Sequence, residues 1–331
     1  MIDIWTVFYT TASLCLLLIP GFLFNKLKIT KGRVFAKGIS DYVLYVAQPA
    51  MLVAPYIRDF DAGILKNVGF TVLFSFICHA LFTVYVMLII RRWRGRDIDQ
   101  GETGESPAGI KDKNLATVRI AAIFGNCGYM GIPLIKDLLG DGAAIYATVF
   151  NIGFQLFLWT VGCYLATGDI KYISPKKILL NPATISIFIG LIIFFAPVNR
   201  YIPEFIIKAI GLLESTVVPL SMFVVGYHMA ENKLRGLFKG GRMWLSICLR
   251  QFLAPLLAFG VLNLFKLTGL FYSYEVAVVV LLCSAAPCAT ITSIFAEKFD
   301  LDRETAGRMV PISTILSMAT MPLAALLLKL F

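Results

Sequence analysis

Long apolar runs recur along the whole chain and are separated by short polar segments. Ten of these runs approach or exceed the 20 or so residues that a helix needs to cross a bilayer. The predicted spans are 3–25, 36–57, 64–91, 114–137, 142–167, 178–197, 203–230, 238–265, 272–298 and 303–330. This pattern predicts an all-α polytopic membrane protein with ten transmembrane helices.

The composition supports a membrane protein. Of the 331 residues, 58% are hydrophobic and 15% are charged, whereas a soluble domain has about 25% charged residues. The first residues, Met1-Ile2-Asp3-Ile4, carry no basic flank, so the first apolar run is expected to remain as a membrane helix and not to be cleaved as a signal peptide. The longest connection, 91–113, is polar and rich in glycine, which indicates a solvated loop.

Basic residues predict how the chain is oriented in the membrane. The segments that follow odd-numbered helices hold 21 of the 30 Lys and Arg residues, and the opposite side holds 7. Because cytoplasmic loops are enriched in Lys and Arg, both termini are predicted to be extracytoplasmic, in a multi-pass protein of the cell (inner) membrane. The net charge of +10 is spread over five loops beside anionic lipid, so membrane lipid is the expected partner and nucleic acid is not.

The fourth span contains a segment that cannot continue a regular helix. Three glycines and one proline fall within nine residues of the stretch from Gly125 to Pro133, and Asn126 places a carboxamide there. Backbone groups freed by such a break are tolerated in a membrane only where protein or a water-filled cavity satisfies them. The break is typical of a transporter site, although a kink that merely lets helices pack is the alternative.

A second break suggests that the chain is an inverted repeat of five helices each, 1–168 and 169–331. Residues 125–151 align with 284–310 at an offset of 159, which places Pro287 opposite Gly128. The ninth span is thus interrupted at Ser284 to Thr290. Two interrupted helices at matching positions in two inverted halves point to a transporter binding site.

The residues around these breaks resemble the auxin efflux carrier family. Asn126-Cys-Gly-Tyr-Met-Gly131-Ile-Pro133-Leu134 is similar to the helix-4 signature of that family. The resemblance covers the full length of the chain. Its other parts are Pro49, Pro219-Leu220 to Gly226, Arg250 to Pro255, and Pro287 through Phe295-Ala296 to Pro311.

The resemblance implies a bile-acid-symporter-like fold that moves as an elevator. Helices 1, 2, 6 and 7 would form a scaffold domain, and helices 3–5 and 8–10 a mobile core transport domain. It also implies export or exchange of small organic anions, with the crossover asparagine, here Asn126, contacting the substrate carboxylate. Gly125 stands where plant members often have proline, and the loop between helices 5 and 6 is short. The chain therefore resembles the compact prokaryotic form, and auxin is not assumed as its substrate.

The chemistry of the breaks independently favours an anion. Half-helices that begin at the breaks would direct their N-terminal N–H groups, each end carrying about half a positive charge, at one position near the midplane. Asn151 and Gln155 lie four residues apart on one face of helix 5, where they line the cavity or join helices by hydrogen bonds. The predicted substrate-binding residues are Gly125, Asn126, Gly128, Asn151, Gln155, Pro287, Cys288, Ala289 and Thr290.

Three ionisable residues lie deep within predicted helices and are candidates for coupling or gating. Glu214 in helix 7 and Arg250 in helix 8 would meet across the interface between scaffold and core, and Glu214 is also a candidate carrier of a coupling proton. A permanent structural pair, a neutral Glu214, or direct binding of the carboxylate by Arg250 are the alternatives. His79 in helix 3 is either a proton relay or a hydrogen-bonded core histidine.

Other functions lack their motifs. No HExxH or GxSxG pattern is present and the seven cysteines form no CxxC pair, so an enzyme, a metal site, a cofactor and a disulfide framework are not predicted. A sodium- or proton-coupled symporter of the same architecture for another solute, or a membrane sensor derived from it, remains the alternative. Homodimers occur in relatives, and no motif here decides whether this chain forms one.

Overall fold

The computed structural model describes residues 3–29, 33–92, 112–173, 176, 179–231, 238–270 and 272–330. Within these residues the chain is helical, apart from turns and one pair of bridged residues. The helices are α1 (Ile4–Lys26), α2 (33–53), α3 (Ala62–Arg92), α4a (Lys113–Ile123), α4b (Ile132–Leu139), α5 (Asp141–Thr167), α6 (Pro182–Phe195), α7 (Glu204–Glu231), α8 (Gly241–Leu267), α9a (Tyr274–Ala285), α9b (Ile291–Lys298) and α10 (Arg303–Leu326). Each predicted span coincides with one of these helices, or with an a/b pair, to within four residues.

Six of the described helices are long and apolar enough to cross a membrane: α1, α3, α5, α7, α8 and α10. Helix α6 has 14 residues and α9a has 12, and α2 is wound through a wide π-helical turn at Val43–Ala47. The protein is therefore a multi-pass membrane protein. The connection predicted to be a solvated loop lies outside the described residues from 93 to 111.

Polar side chains fix where several helices begin. Asp112 accepts a hydrogen bond from the Leu115 N–H at 2.8 Å at the start of α4a, and Asp302 accepts one from the Thr305 N–H at 2.9 Å at the start of α10. Such capping satisfies N–H groups that have no partner within their own helix. Gly140, with φ of 82°, lets the chain reverse between α4b and α5.

Helices α1, α2, α6 and α7 form one packed group. The second half of α1 crosses α7 at very short distance, which only glycine permits at two positions. A Cβ atom on Gly21 would overlap the Phe223 carbonyl oxygen, and one on Gly226 would overlap the Leu18 carbonyl oxygen. Small residues at such a crossing let two membrane helices gain close van der Waals contact. Helices α1 and α7 are therefore tightly packed against each other.

Helices α3, α5, α8 and α10 pack around the two broken helices, α4 and α9, and together these helices form the second group. The groups meet where α10 lies against α1 and α7, with Cys15 Sγ 3.1 Å from the Thr314 carbonyl oxygen. Tyr129 Oη, in the turn before α4b, also donates to Gln48 Oε1 on α2 at 3.1 Å. The first group contains the four helices that the resemblance assigns to a scaffold, and whether they act as one stays a prediction. The breaks in α4 and α9 face one another inside the second group.

Candidate functional site

The two breaks cross as short extended segments that hydrogen-bond to each other. Asn126 N–H donates to the Pro287 carbonyl oxygen at 2.7 Å, and Ala289 N–H donates to the Phe124 carbonyl oxygen at 2.9 Å. Gly125 and Cys288 sit between these bonds as an antiparallel bridge. Backbone groups freed by the breaks thus satisfy one another, as burial in a membrane demands.

Corresponding residues in these two bonds are 163 positions apart along the chain. The two donors are Asn126 and Ala289, and the two acceptors are Phe124 and Pro287. The sequence alignment predicted an offset of 159, with Gly128 opposite Pro287. The register at the crossover therefore differs from the aligned one by four residues, about one helical turn. Apolar helices repeat with this period, so an alignment of apolar residues does not distinguish registers one turn apart.

Arg250 lies at the centre of this crossover and is 1% exposed. Its Nε donates to the Ala286 carbonyl oxygen at 3.0 Å, its Nη1 to the Ile123 carbonyl oxygen at 2.9 Å, and its Nη2 to the Ser284 carbonyl oxygen. These acceptors belong to the last turns of α4a and α9a and to the residue after α9a. Each of those helix ends carries a partial negative charge of about half a unit. The guanidinium group therefore neutralises two converging helix C-termini.

The backbone at Gly125 is shaped to admit this guanidinium group. A Cβ atom on Gly125 would lie 2.6 Å from Arg250 Nη2 and 2.7 Å from Cζ, closer than carbon and nitrogen can approach. On the opposite side, the Phe82 ring centroid lies 5.1 Å from Arg250 Cζ, within range of a cation–π contact. A larger residue at position 125 would therefore force the Arg250 guanidinium group to shift.

Several buried polar side chains at the crossover have no hydrogen-bond partner among the described residues. They are Asn126 through Nδ2, Asn151 through both Nδ2 and Oδ1, and the hydroxyl groups of Ser284, Thr290 and Thr292. Asn126 is 4% exposed and Asn151 is 1% exposed. Because more than nine in ten buried polar groups are normally paired, this cluster makes the crossover the candidate for binding a polar ligand.

Gly128 brings the loop and α5 together. A Cβ atom on Gly128 would lie 3.2 Å from Asn151 Nδ2, so the amide of Asn151 rests against the first turn after the break. One turn further along α5, Gln155 Oε1 accepts a hydrogen bond from Trp159 Nε1 at 3.3 Å. Asn126, Gly128 and Asn151 thus lie close together at the crossover, and Gln155 lies one turn further along α5.

Pro287, Cys288 and Ala289 build the site through their backbone. Pro287 accepts and Ala289 donates the two crossing bonds, and Cys288 N–H donates to Ser313 Oγ at 3.1 Å. Gln251, the neighbour of Arg250, is also buried and donates through Nε2 to the Ser313 carbonyl oxygen. The link from α8 through Ser313 to the crossover was missed in the sequence, where Gln251 and Ser313 carry no distinguishing signal.

Glu214 and Arg250 do not pair in this structure. Glu214 Oε1 accepts from Lys136 Nζ at 2.9 Å, and Lys136 also lies 3.0 Å from Asp141 Oδ1. The Glu214–Arg250 pair, one of the alternatives that the sequence left open, is absent in this structure because Arg250 is engaged by backbone carbonyls and Glu214 is bonded to Lys136. Lys136 was missed, since nothing along the chain connects it to a residue 78 positions away.

His79 lies among aromatic rings at hydrogen-bonding distance from its own helix. Its Nδ1 is 2.8 Å from the Ser75 carbonyl oxygen, so Nδ1 carries the proton and donates. The rings of Phe82, Phe150 and Phe157 lie within 6 Å of the imidazole. These surroundings fit the alternative of a hydrogen-bonded core histidine.

Two further observations delimit the site. No group of three or more His, Cys, Asp or Glu side chains that could hold a metal ion occurs among the described residues. A groove of about 400 Å³ opens between α3 and α5, but its walls, which include Thr83, Met87, Thr160 and Tyr164, are apolar and contain none of the crossover residues. The polar crossover is therefore the candidate site.

Comparison with known proteins gives consistent matches. Residues 166–325 match the family model described as "Membrane transport protein". The chain is 24% identical over 295 residues to an uncharacterized transporter of Methanocaldococcus jannaschii, covering 87% of this chain and 88% of the relative. It is 24% identical over 321 residues to an uncharacterized transporter of Methanothermobacter thermautotrophicus, covering 96% of this chain and 97% of the relative. It is also 24% identical over 209 residues to a Rhizobium meliloti protein named "Putative malonate transporter", covering 60% of this chain and 63% of the relative.

Proposed function

We propose that this chain is a membrane transporter of the auxin efflux carrier type and that it carries small mono- or dicarboxylates through a site at the crossing of α4 and α9. It is a transporter and not an enzyme, in line with the family match and the relatives. The observation that carries the proposal is the pair of buried, unpartnered carboxamides of Asn126 and Asn151 beside Gly128.

A carboxylate complements this set of groups. An ionised carboxylate only accepts hydrogen bonds, and the site offers donors: Asn126 Nδ2, Asn151 Nδ2 and the Thr290 hydroxyl. The first turn after each break adds backbone N–H groups and the positive end of a helix dipole. No carboxylate side chain is bonded to any of these groups in the described part of the chain, so the anion would not be repelled there.

Arg250 gives the crossover its positive charge without touching the substrate. Its charge offsets the two negative helix C-termini, so the positive N-terminal ends of α4b and α9b are not cancelled. In a cation-coupled symporter of the same architecture, carbonyl oxygens at such a place would be free to bind the coupling ion. Here the guanidinium group occupies them, which favours an anion carrier that needs no bound sodium.

The name of the Rhizobium relative supports a short dicarboxylate as the first substrate to test. That relative is matched over 60% of this chain only, so the site chemistry carries more weight than the name. The separate orphaned amides of Asn126 and Asn151 could each bind one carboxylate group of such a compound.

Transport by an elevator movement is part of the proposal. The halves 1–168 and 169–331 would be inverted repeats, with α1, α2, α6 and α7 as scaffold and the remaining helices as the moving core. Polar contacts between these groups include Lys136–Glu214, Tyr129–Gln48 and Cys15–Thr314, and an elevator movement would have to break and remake them. Sliding of packed helices against one another is a known form of such a movement.

Uptake of labelled malonate into proteoliposomes tests the proposal. The wild-type protein should show saturable uptake that other small carboxylates compete for and that replacing sodium by choline leaves unchanged. Asn126→Ala and Asn151→Ala should each abolish it while folding normally. Uptake that is equal in wild type and both variants would contradict the site, and uptake that requires sodium would favour the cation-coupled alternative.

A further inference from the structure

A row of polar groups leads away from the crossover along α5. It runs from Asn151 to Gln155, then through the hydrogen bond of Gln155 to Trp159, and ends at Lys298 on α9b. The row spans eight residues of α5, roughly 12 Å at 1.5 Å per residue. It therefore reaches from the buried site toward the side predicted to be cytoplasmic.

Lys298 is exposed, and its positive charge contacts aromatic rings and no carboxylate among the described residues. Its Nζ lies 5.5 Å from the centroid of the Trp159 ring and 5.8 Å from that of Phe299, and it forms no ion pair with any described acidic side chain. The Trp159 ring is held in turn by an edge contact with Phe295, with centroids 5.8 Å apart. A cation held only by aromatic faces can leave them for an incoming carboxylate, which binds it more strongly.

Lys136, in the last turn of the other half-helix α4b, already has acidic partners. It is bonded to Glu214 at 2.9 Å and to Asp141 at 3.0 Å, so its charge is already neutralised. The end of the polar row at Lys298 thus presents a cation without an ion-pair partner among the described acidic side chains, whereas Lys136 is held in an ion pair. This difference favours capture of an anion at the Lys298 end.

We propose that Lys298, Trp159 and Gln155 form an entry subsite that captures the carboxylate substrate on the cytoplasmic side and passes it along α5 to Asn151 and Asn126. The inference rests on the proposed function. Lys298 would attract the anion by charge, Trp159 would provide its indole N–H, and Gln155 would relay the carboxylate to the orphaned amides. An unpaired charge at a pore mouth raises the local concentration of oppositely charged solute.

The test measures malonate uptake in membrane vesicles of both orientations. Lys298→Gln should raise KM about three- to tenfold in inside-out vesicles, with little change in Vmax, and leave right-side-out vesicles unaffected. The wild-type KM should also rise with ionic strength more steeply than that of Lys298→Gln, because salt screens the capturing charge. Lys298→Arg should behave like the wild type.

Two further variants make the result specific. Lys171→Gln removes the same charge from another loop predicted to be cytoplasmic and should leave KM unchanged. Trp159→Phe keeps an aromatic face for Lys298 but removes the hydrogen bond to Gln155, and should raise KM in inside-out vesicles only. An equal effect of Lys171→Gln, or no effect of Lys298→Gln while Asn126→Ala abolishes uptake, would overturn the entry subsite and leave the proposed function intact. Wild-type vesicles without carboxylate uptake would overturn both.

Discussion

Nη1 of Arg250 lies 2.9 Å from the carbonyl oxygen of Ile123, the last residue of α4a. The same guanidinium group binds the Ser284 and Ala286 carbonyls at the end of α9a, so one side chain joins the C-termini of two helices from opposite halves of the chain. A broken membrane helix needs a partner for its last carbonyls. Arg250 supplies that partner and the charge that offsets both dipoles.

We predict that Arg250→Ala strongly destabilises the protein. Three buried acceptors would lose their donors, and the free energy of unfolding should fall by about 3–5 kcal/mol. Thermal melting in detergent measures this. Millimolar guanidinium ion, which fits the vacated space, should recover part of the melting temperature, whereas it should not help Arg242→Ala, where the lost contact is an ion pair with Asp112 at the helix end. A melting temperature equal to that of the wild type would contradict the role given to Arg250.

Gly125→Ala should be destabilising for a steric reason. Its Cβ would meet the Arg250 guanidinium group at 2.6 Å, and the group is held by three bonds and cannot withdraw. We expect a loss of about 1–3 kcal/mol, as in overpacked cores, and a weaker carboxylate-induced shift in melting temperature. Gly260→Ala on α8 is the control, because its Cβ would meet nothing within 4 Å. Equal melting temperatures for the two variants would argue against the tight fit at Gly125.

The ion pair of Lys136 with Glu214 should contribute measurably but modestly. The Glu214 side chain is 15% exposed and that of Lys136 is 38% exposed, so solvent screens part of the interaction. A double-mutant cycle with Lys136→Gln and Glu214→Gln should give a coupling energy of about 0.5–1 kcal/mol. If Glu214 also carries a coupling proton, Glu214→Gln will alter the pH profile of transport. A coupling energy of zero would mean that the pair does not hold the interface together.

The sequence predicted the helices and the positions of both breaks well. Apolar runs are local signals, so the spans agreed to within four residues. The break at Asn126 and Gly128 was predicted because an interruption of an apolar helix is visible in the sequence, and the binding role of these residues stays a prediction. The contacts of Arg250 and the partner of Glu214 were not found. They depend on how segments 34 to 127 residues apart pack together, which a single sequence does not contain.

Asp300 gives a pH-dependent test outside the membrane-spanning helices. It turns the chain between α9b and α10 and accepts a hydrogen bond from Lys113 Nζ at 2.7 Å. That bond and the positive charge of Lys113 lower the pKa of Asp300. Because folding lowers this pKa, the contact stabilises the protein fully above the unfolded-state pKa of about 4 and is lost as the pH falls through the folded-state value.

We therefore expect the gap in melting temperature between the wild type and Asp300→Asn to shrink as the pH is lowered from 7 to 3. Lys113→Gln should show the same convergence, since it removes the other partner. A gap that stays constant over this range would show that the lowered pKa does not stabilise the fold.

The central claim is that the crossover binds a carboxylate through Asn126. Its most direct test is the melting temperature of purified wild type and Asn126→Ala with a panel of mono- and dicarboxylates, with and without sodium. A ligand present at a hundred times its dissociation constant adds about 2.7 kcal/mol of stability, which such a measurement detects. We predict a carboxylate-specific, sodium-independent rise in the wild type that Asn126→Ala abolishes. No rise with any acid, or a rise that survives in the variant, would contradict the claim.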